Sequence, residues 1–332
     1  MSSQYFRFVA RDTSRLRVPL LEQLIARADD WMPVADWRAE AFRVIAPQAA
    51  AMPAVAAAAL YADRAGVDRE AAHSQPAHSG GMHVATVDTA AADPAALDAV
   101  WVCVATPVHY VAEMTSVRLS QDGMLSLTPA GADTLAADFN RVWKGSGIHM
   151  TAARSAQLFC TFDRDMQVVT RDPEDVLGRH IEEFLPSGAD AARLQQLISE
   201  TEMWLFEHEV NRARTQLDLP VINGLWFWGG GAPIASLPDV QGWAAGDDLF
   251  FNTFSVPGDE KRPSGVVAAG CVPGGEQWHA LESRWLRPAI DQLRAGKIQR
   301  LQLSAADRCF SVTARGLRRF WRRRKPWWES YE

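Results

Sequence analysis

Apolar and polar positions along this chain switch repeatedly between a two-residue and a 3.6-residue period, which predicts alternating strands and helices. Tyr5 to Ala10 alternates loosely and reads as a short first strand. Leu20, Leu21, Leu24, Ile25 and Ala28 then recur at helical spacing within Val18–Ala28, and Pro19 suits the first turn, where an N–H has no partner. An alanine-rich helical stretch covers 36–66 and is broken at Pro47 and Pro53. The polar segment from Asp68 to Gly81, with a Gly-Gly pair, reads as a loop or insertion.

Ala99–Ala105 is an unbroken apolar run of strand length. Val117–Leu119 and Met124–Leu127, parted by Ser120 to Gly123, predict a hairpin. Gly131–Trp143 places Leu135, Phe139 and Val142 on one helical face. Leu158–Phe162 and Gln167–Thr170 read as a pair of short strands. Ala189–Arg214 is the clearest helix, with Leu194, Leu197, Ile198, Thr201, Met203, Leu205 and Val210 forming a broad stripe. Val221–Trp228 is apolar apart from Asn223 and Gly224 and stops at Gly229-Gly230-Gly231, the pattern of a strand covered on both faces in a mainly parallel sheet. The alternation favours an α/β fold, expected as a single domain over residues 1–332 with an insertion near 68–98 and a separate tail at 315–332.

Composition narrows the function classes. With 48% hydrophobic residues the 332-residue chain can bury a large core, and a net charge of −6 gives no general attraction for nucleic acid or anionic lipid. Cys103, Cys160, Cys271 and Cys309 are far apart with no CxxC pair, so they read as core thiols rather than a disulfide framework or zinc knuckle. The first twenty residues carry Arg7, Arg11, Arg15 and Arg17, unlike a secretory leader, and no apolar run reaches the ~20 residues that span a bilayer. A cytoplasmic location is the expectation.

From Thr170 to about Leu237 several rare residues fall in a particular order. Pro173-Glu174-Asp175 leads to Leu177-Gly178, then Leu185-Pro186-Ser187-Gly188. Next come His208, Val210-Asn211 and Arg214, then Pro220, Asn223 and Leu225-Trp226-Phe227-Trp228-Gly229-Gly230-Gly231. This order resembles archaeal-type cofactor-independent phosphoglycerate mutases, which carry P-P-H-D, L-P-x-G, H-P-V-N-x-x-R and P-A-N-x-I-W-L-W-G-Q-G in succession. The whole chain is similar to a bacterial group described either as RpfE-type regulatory proteins or as phosphoglycerate mutases. The resemblance implies an alkaline-phosphatase-like fold, a mixed sheet between helices. The start Leu16–Leu24 is loosely similar to a helix start of that superfamily. It also implies ligand-binding candidates: Asp175, His208, Asn211, Arg214, Asn223, Trp226, Trp228, Gly229, Gly230 and Gly231.

The chemistry of such mutases needs two divalent metals held by carboxylates and imidazoles. Here the first strand runs into Ala10-Arg11-Asp12 with no Asp-Gly, Glu174 stands where the family has an imidazole, and His279 is the sole histidine after Gly231. No metal and no cofactor is therefore expected, which makes the chain a degenerate, regulatory relative with an unknown protein or a small phosphorylated ligand as partner. The alternative is a divergent metal-dependent phosphomutase or phosphoesterase with ligands among Asp12, Asp172, Glu174, Asp175 and a histidine. His73, His78 and His83 recur every five residues, a spacing that suits a solvated loop better than a helical metal pair. His208 reads either as part of a polar ligand cluster or as a residue finishing a helix. The three glycines read either as an anion cradle or as a tight strand exit.

One local feature runs against the acidic average. Arg315 to Lys325 holds seven cations in eleven residues, among them Arg318, Arg319, Arg322, Arg323, Arg324 and Lys325, interleaved and followed by Phe320, Trp321, Trp327 and Trp328. Such a tail can pair with phosphates and stack on bases, so nucleic acid is an alternative partner. It can equally meet an anionic membrane surface or a protein, or fold back on the chain's own acidic surface.

Overall fold

The computed structural model describes residues 2–10, 19–65, 99–255, 262–271, 282–305, 308–319 and 321–322. In chain order the strands are β1 (Ser3–Ala10), β2 (Asp30–Pro33), β3 (Trp101–Ala112), β4 (Val117–Met124), β5 (Ile148–Ala152), β6 (Leu158–Phe162), β7 (Gly224–Gly231), β8 (Trp243–Gly246), β9 (Gly265–Cys271), β10 (Arg300–Ala305) and β11 (Arg308–Val312). The α-helices are α1 (Pro19–Ala26), α2 (Trp37–Ile45), α3 (Val55–Arg64), α4 (Pro129–Val142), α5 (Ala191–Phe206), α6 (Glu209–Gln216), α7 (Leu249–Asn252) and α8 (Arg287–Arg294). The class is α/β, as the alternating pattern implies.

The described residues fall into two compact units, one drawn from Met1–Met52 and Pro238–Glu332, the other from Pro53–Val67 and Ala77–Leu237. Among the described residues the first unit is thus drawn from both ends of the chain and the second from its middle. Pro53 and Pro238 mark the crossings, and no polar linker announces them. The Asp68–Gly81 loop and the histidines within it, with His83, lie outside the described residues.

The first unit holds a six-stranded sheet in the order β2-β11-β10-β1-β9-β8. Strands β10, β1, β9 and β8 run parallel, while β11 and β2 are antiparallel additions at one edge. Phe6, Leu301, Leu303, Val267 and Phe310 project to one face and pack with Leu21 and Leu24 of α1 and Ile290 and Leu293 of α8. Opposite-facing residues of the same strands, such as Tyr5 and Arg7, look toward α2. Asp36 caps α2 by accepting from Ala39 N–H at 3.0 Å, the usual role of an Asp just before a helix.

The second unit is an all-antiparallel sheet, β4-β3-β6-β5, with β7 also pairing with β3 along Val102–Val108. A mainly parallel sheet is therefore correct for part of the first unit only. The Val221–Trp228 run misleads because Leu225 to Trp228 are buried while their neighbours are antiparallel; α3 and α5, packed against β7, give it the covering that parallel strands usually have. Leu135, Phe139, Leu158, Phe162, Leu194, Leu197 and Phe227 fill the core between this sheet and α4 and α5.

Three local expectations change. The hairpin expected at Ser120–Gly123 is instead a bulge inside β4: Tyr110 faces Leu119 and Val108 faces Met124, so four residues oppose His109 alone. A side chain at Gly123 would come within 2.8 Å of His109 O and 2.7 Å of Ser120 O, which leaves glycine as the residue that fits. The long helix expected over Ala189–Arg214 breaks after Phe206, and His208, in extended backbone (φ −67, ψ 141), starts α6 anew. In place of a strand at Gln167–Thr170 there is a single bridge between Val169 and Ser187.

Candidate functional site

The residues singled out between Asp175 and Gly231 all sit in the second unit, and most of them converge on the entry to β7. Asn211, near the start of α6, is 8% exposed. Its Nδ2 donates to Leu205 O (2.8 Å) and Ile222 O (2.7 Å), and its Oδ1 accepts from Ile222 N–H (2.7 Å). Arg214 donates from Nε to Pro220 O (2.7 Å) and from Nη1 to Ser126 O (3.1 Å). Asn223 accepts from Tyr110 N–H (2.7 Å) and donates to Tyr110 O (2.9 Å). Three polar side chains thus supply backbone partners where the chain passes from α6 to β7, a stretch too irregular to satisfy itself.

His208 is 7% exposed, with Nδ1 hydrogen-bonded and Nε2 set against a carboxylate. Nδ1 accepts from Val210 N–H at 3.1 Å, capping α6, which places the proton on Nε2. Nε2 faces Asp138 Oδ2 of α4 at 3.2 Å, and the ring meets Trp204 edge-on at 4.7 Å. Burial holds the imidazole below its ordinary range despite the opposing pull of the Asp138 carboxylate. With one nitrogen capping and the other against Asp138, the ring joins α4 to α6. Nearby, burial raises the Glu202 carboxyl and holds the Tyr110 hydroxyl firmly protonated, the Glu202 charge adding to the latter.

The two indoles are also anchored. Trp226 Nε1 donates to Arg171 O at 2.7 Å and Trp228 Nε1 to Thr106 Oγ1 at 2.8 Å. The glycines that follow make room for neighbours. A Cβ at Gly230 would lie 2.0 Å from the Trp101 ring, one at Gly231 would lie 2.5 Å from Ala54 Cβ, and Gly229 has φ +65 with Val55 3.0 Å from its Cβ position. Close packing against α3 and Trp101 accounts for glycine at each position. Asp175 is exposed and ends a one-turn helix, Pro173–Asp175, which Asp172 caps by accepting from Glu174 N–H at 2.9 Å.

In the first unit the carboxyl ends of the parallel strands hold a second group of polar residues, at the edge where α/β sheets commonly bind ligands. After β8, Asp248 accepts from Phe250 and Phe251 N–H (3.0 and 2.9 Å) and from Arg38 Nε and Nη2 (3.0 and 2.7 Å). Arg38 and Arg7 both place their guanidinium groups over Trp37, 4.6 and 5.0 Å from the ring centre. Arg7 also reaches Ser304 Oγ at 3.5 Å. Burial pushes the Cys309 thiol, on the same face, up to about 11. Nothing in the sequence pattern singled out Trp37, Arg38 or Asp248. Arg38 and Asp248 are 210 positions apart, and their pairing follows from α2 lying over β1 and β9.

Among the described residues no three His, Cys, Asp or Glu side chains stand close enough together to hold a metal ion. Asp12, one of the alternative ligands, and His279 lie outside those residues. Of the tail, Arg319 donates to Ala28 O (3.0 Å) and pairs with Asp29 (3.0 Å), Arg322 donates to Ala28 O (3.0 Å), and Arg318 is exposed. Arg323, Arg324 and Lys325 lie outside the described residues. No described helix is long and apolar enough to cross a membrane.

The fold is α/β, and part of the chain is similar in sequence to a phosphoglycerate mutase. Over 70 residues, 21% of the chain, it is 39% identical to the 2,3-bisphosphoglycerate-independent phosphoglycerate mutase of Methanothrix thermoacetophila, and the match spans only 18% of that protein's length. Similar solved structures include the cofactor-independent phosphoglycerate mutase of Thermoplasma acidophilum (12% identical, covering 94% of this chain and 90% of that one, TM-score 0.35). Another is the PH0037 protein of Pyrococcus horikoshii (10% identical, 94% and 87% covered, TM-score 0.30). No protein-family model matches the chain.

Proposed function

We propose that this chain is a phosphoglycerate-mutase-like protein, built on an alkaline-phosphatase-like scaffold, that lacks the two-metal centre and acts by binding a small phosphorylated ligand or a protein partner. The observation that carries this reading is how the resembling segment is used. Asn211, Arg214 and Asn223 spend their hydrogen bonds on the chain's own backbone, so what the segment shares with the mutases is scaffold. Where the mutases need an imidazole, the sequence has Glu174 beside Asp175. A two-metal phosphoryl transfer requires ligands that neutralise charge on both the attacking and leaving oxygens. A scaffold kept without them is suited to recognition rather than turnover.

The test is elemental analysis of the purified chain followed by calorimetry with manganese and zinc, and a mutase assay on 2- and 3-phosphoglycerate. The expected result is no stoichiometric metal and no interconversion, with the phosphoglycerates still raising the melting temperature. Tight stoichiometric metal with turnover would overturn the reading in favour of a divergent metal-dependent phosphotransferase.

A further inference from the structure

The first unit contains a cavity of about 490 Å³ at the amino ends of β1, β9 and β10, the opposite edge of the sheet from Asp248. That volume falls within the range of small-molecule sites. Its walls come from separate elements: Glu40 and Arg43 from α2, Ser3 from β1, Gln302 from β10, Ser264 just before β9 and Gln241 before β8. The frame is tied together, since Ser264 Oγ accepts from Ser3 N–H (3.4 Å) and Gln241 N–H donates to Ile45 O (2.7 Å).

Because side chains alternate along a strand, Gln302 and its partner Tyr5 share the face under α2. Arg43 Nη1 donates to Glu40 Oε1, and the Arg43 side chain, which lines the cavity, is 67% exposed, so donors remain for a ligand. Among the described residues the lining carries no aromatic ring, so they give a nucleobase no platform to stack on. The described lining offers one cation, one carboxylate, two carboxamides and several hydroxyls, which is a match for hydroxyl groups plus a single anionic head.

We infer that this cavity is a binding site for a small hydroxylated acid of sugar or polyol size, its one anionic group held by Arg43 and its hydroxyls by Glu40, Gln241, Gln302 and the serines. The site stands independently of whether the chain has lost a metal centre, because none of these residues belongs to the segment discussed above.

The probes are glucose 6-phosphate, gluconate and glucose, titrated calorimetrically into the full chain. The two acids distinguish a phosphate head from a carboxylate head, and glucose carries hydroxyls alone. Binding of at least one acid, tenfold or more tighter than glucose, is expected. Arg43→Gln should weaken that acid at least tenfold, Arg43→Lys should retain most of it, and Gln241→Ala, at the exposed rim, should weaken it several-fold. Melting curves superimposable on the parent show that each variant is folded. No acid binding at millimolar concentration, glucose binding as tightly as the acids, or affinity unchanged in folded Arg43→Gln would each overturn the assignment.

Discussion

Asn223 pairs with the backbone of Tyr110 as though it were one more residue of the neighbouring strand, accepting from its N–H at 2.7 Å and donating to its C=O at 2.9 Å. The ladder between β3 and β7 begins at Val108 and Gly224, so the side chain carries the pairing past the strand's end. Asn211 performs the same service one residue earlier, on Ile222.

Replacing Asn223 by Leu strands two backbone groups of Tyr110 and should cost about 2–4 kcal/mol, read from urea unfolding. Asn211→Leu should cost at least as much, since it strands groups on both Leu205 and Ile222. Because both side chains hold the same chain entry, the double variant should lose less than the sum of the two. Strict additivity would show that the two clamps act separately.

The Gly229–Gly231 run distinguishes packing from anion binding. Gly230→Ala forces a methyl into the Trp101 ring, and overpacking of this kind costs about 1–3 kcal/mol. Gly296→Ala, at φ +71 with nothing within 4 Å, isolates the backbone strain alone and should cost only about 1 kcal/mol. If Gly230→Ala melts no lower than the parent, the close approach is not what demands glycine there.

The Arg38–Asp248 pair is buried, with side chains 8% and 7% exposed. Asp248→Asn keeps an oxygen for capping α7 but removes the charge facing Arg38, and should destabilise the chain by about 3 kcal/mol. The loss should persist at high salt, because ions do not screen a pair that water does not reach. A loss that vanishes in 1 M sodium chloride would place the pair effectively at the surface.

Most helices were legible because their signals are local: Pro19 opening α1, the breaks at Pro47 and Pro53 that part α2 from α3, and the apolar stripe of α5. Strand pairing was not, since direction depends on partners more than a hundred residues away. Val221–Trp228 carries the same apolar run whether its neighbours lie parallel or antiparallel. The turn residues Ser120–Gly123 likewise serve a bulge as well as a hairpin, and only the position of His109 decides between them. The polar residues of the resembling segment are plain in the sequence, but residue types do not say whether an Asn meets a ligand or a backbone. The Arg43 cavity drew no notice because its walls are ordinary Ser, Gln, Glu and Arg residues from five segments that meet only in the fold.

His208 gives stability a pH dependence whose sign can be fixed. Burial lowers its folded-state pKa below the ordinary 6.5, so in the window between those two values the unfolded chain holds more protons than the folded one. Stability then rises with pH through that window, is fully present above 6.5, and is lost as pH falls toward the folded value. The structural reason is visible at Nδ1: adding a proton there removes the acceptor for Val210 N–H, and α6 loses its cap. His208→Asn keeps a capping oxygen but does not titrate. Urea unfolding at half-unit steps from pH 5 to 8 should show a slope in the parent that the variant lacks. An unchanged slope in His208→Asn would assign the pH dependence to another group and leave His208 as a neutral spacer between Asp138 and α6.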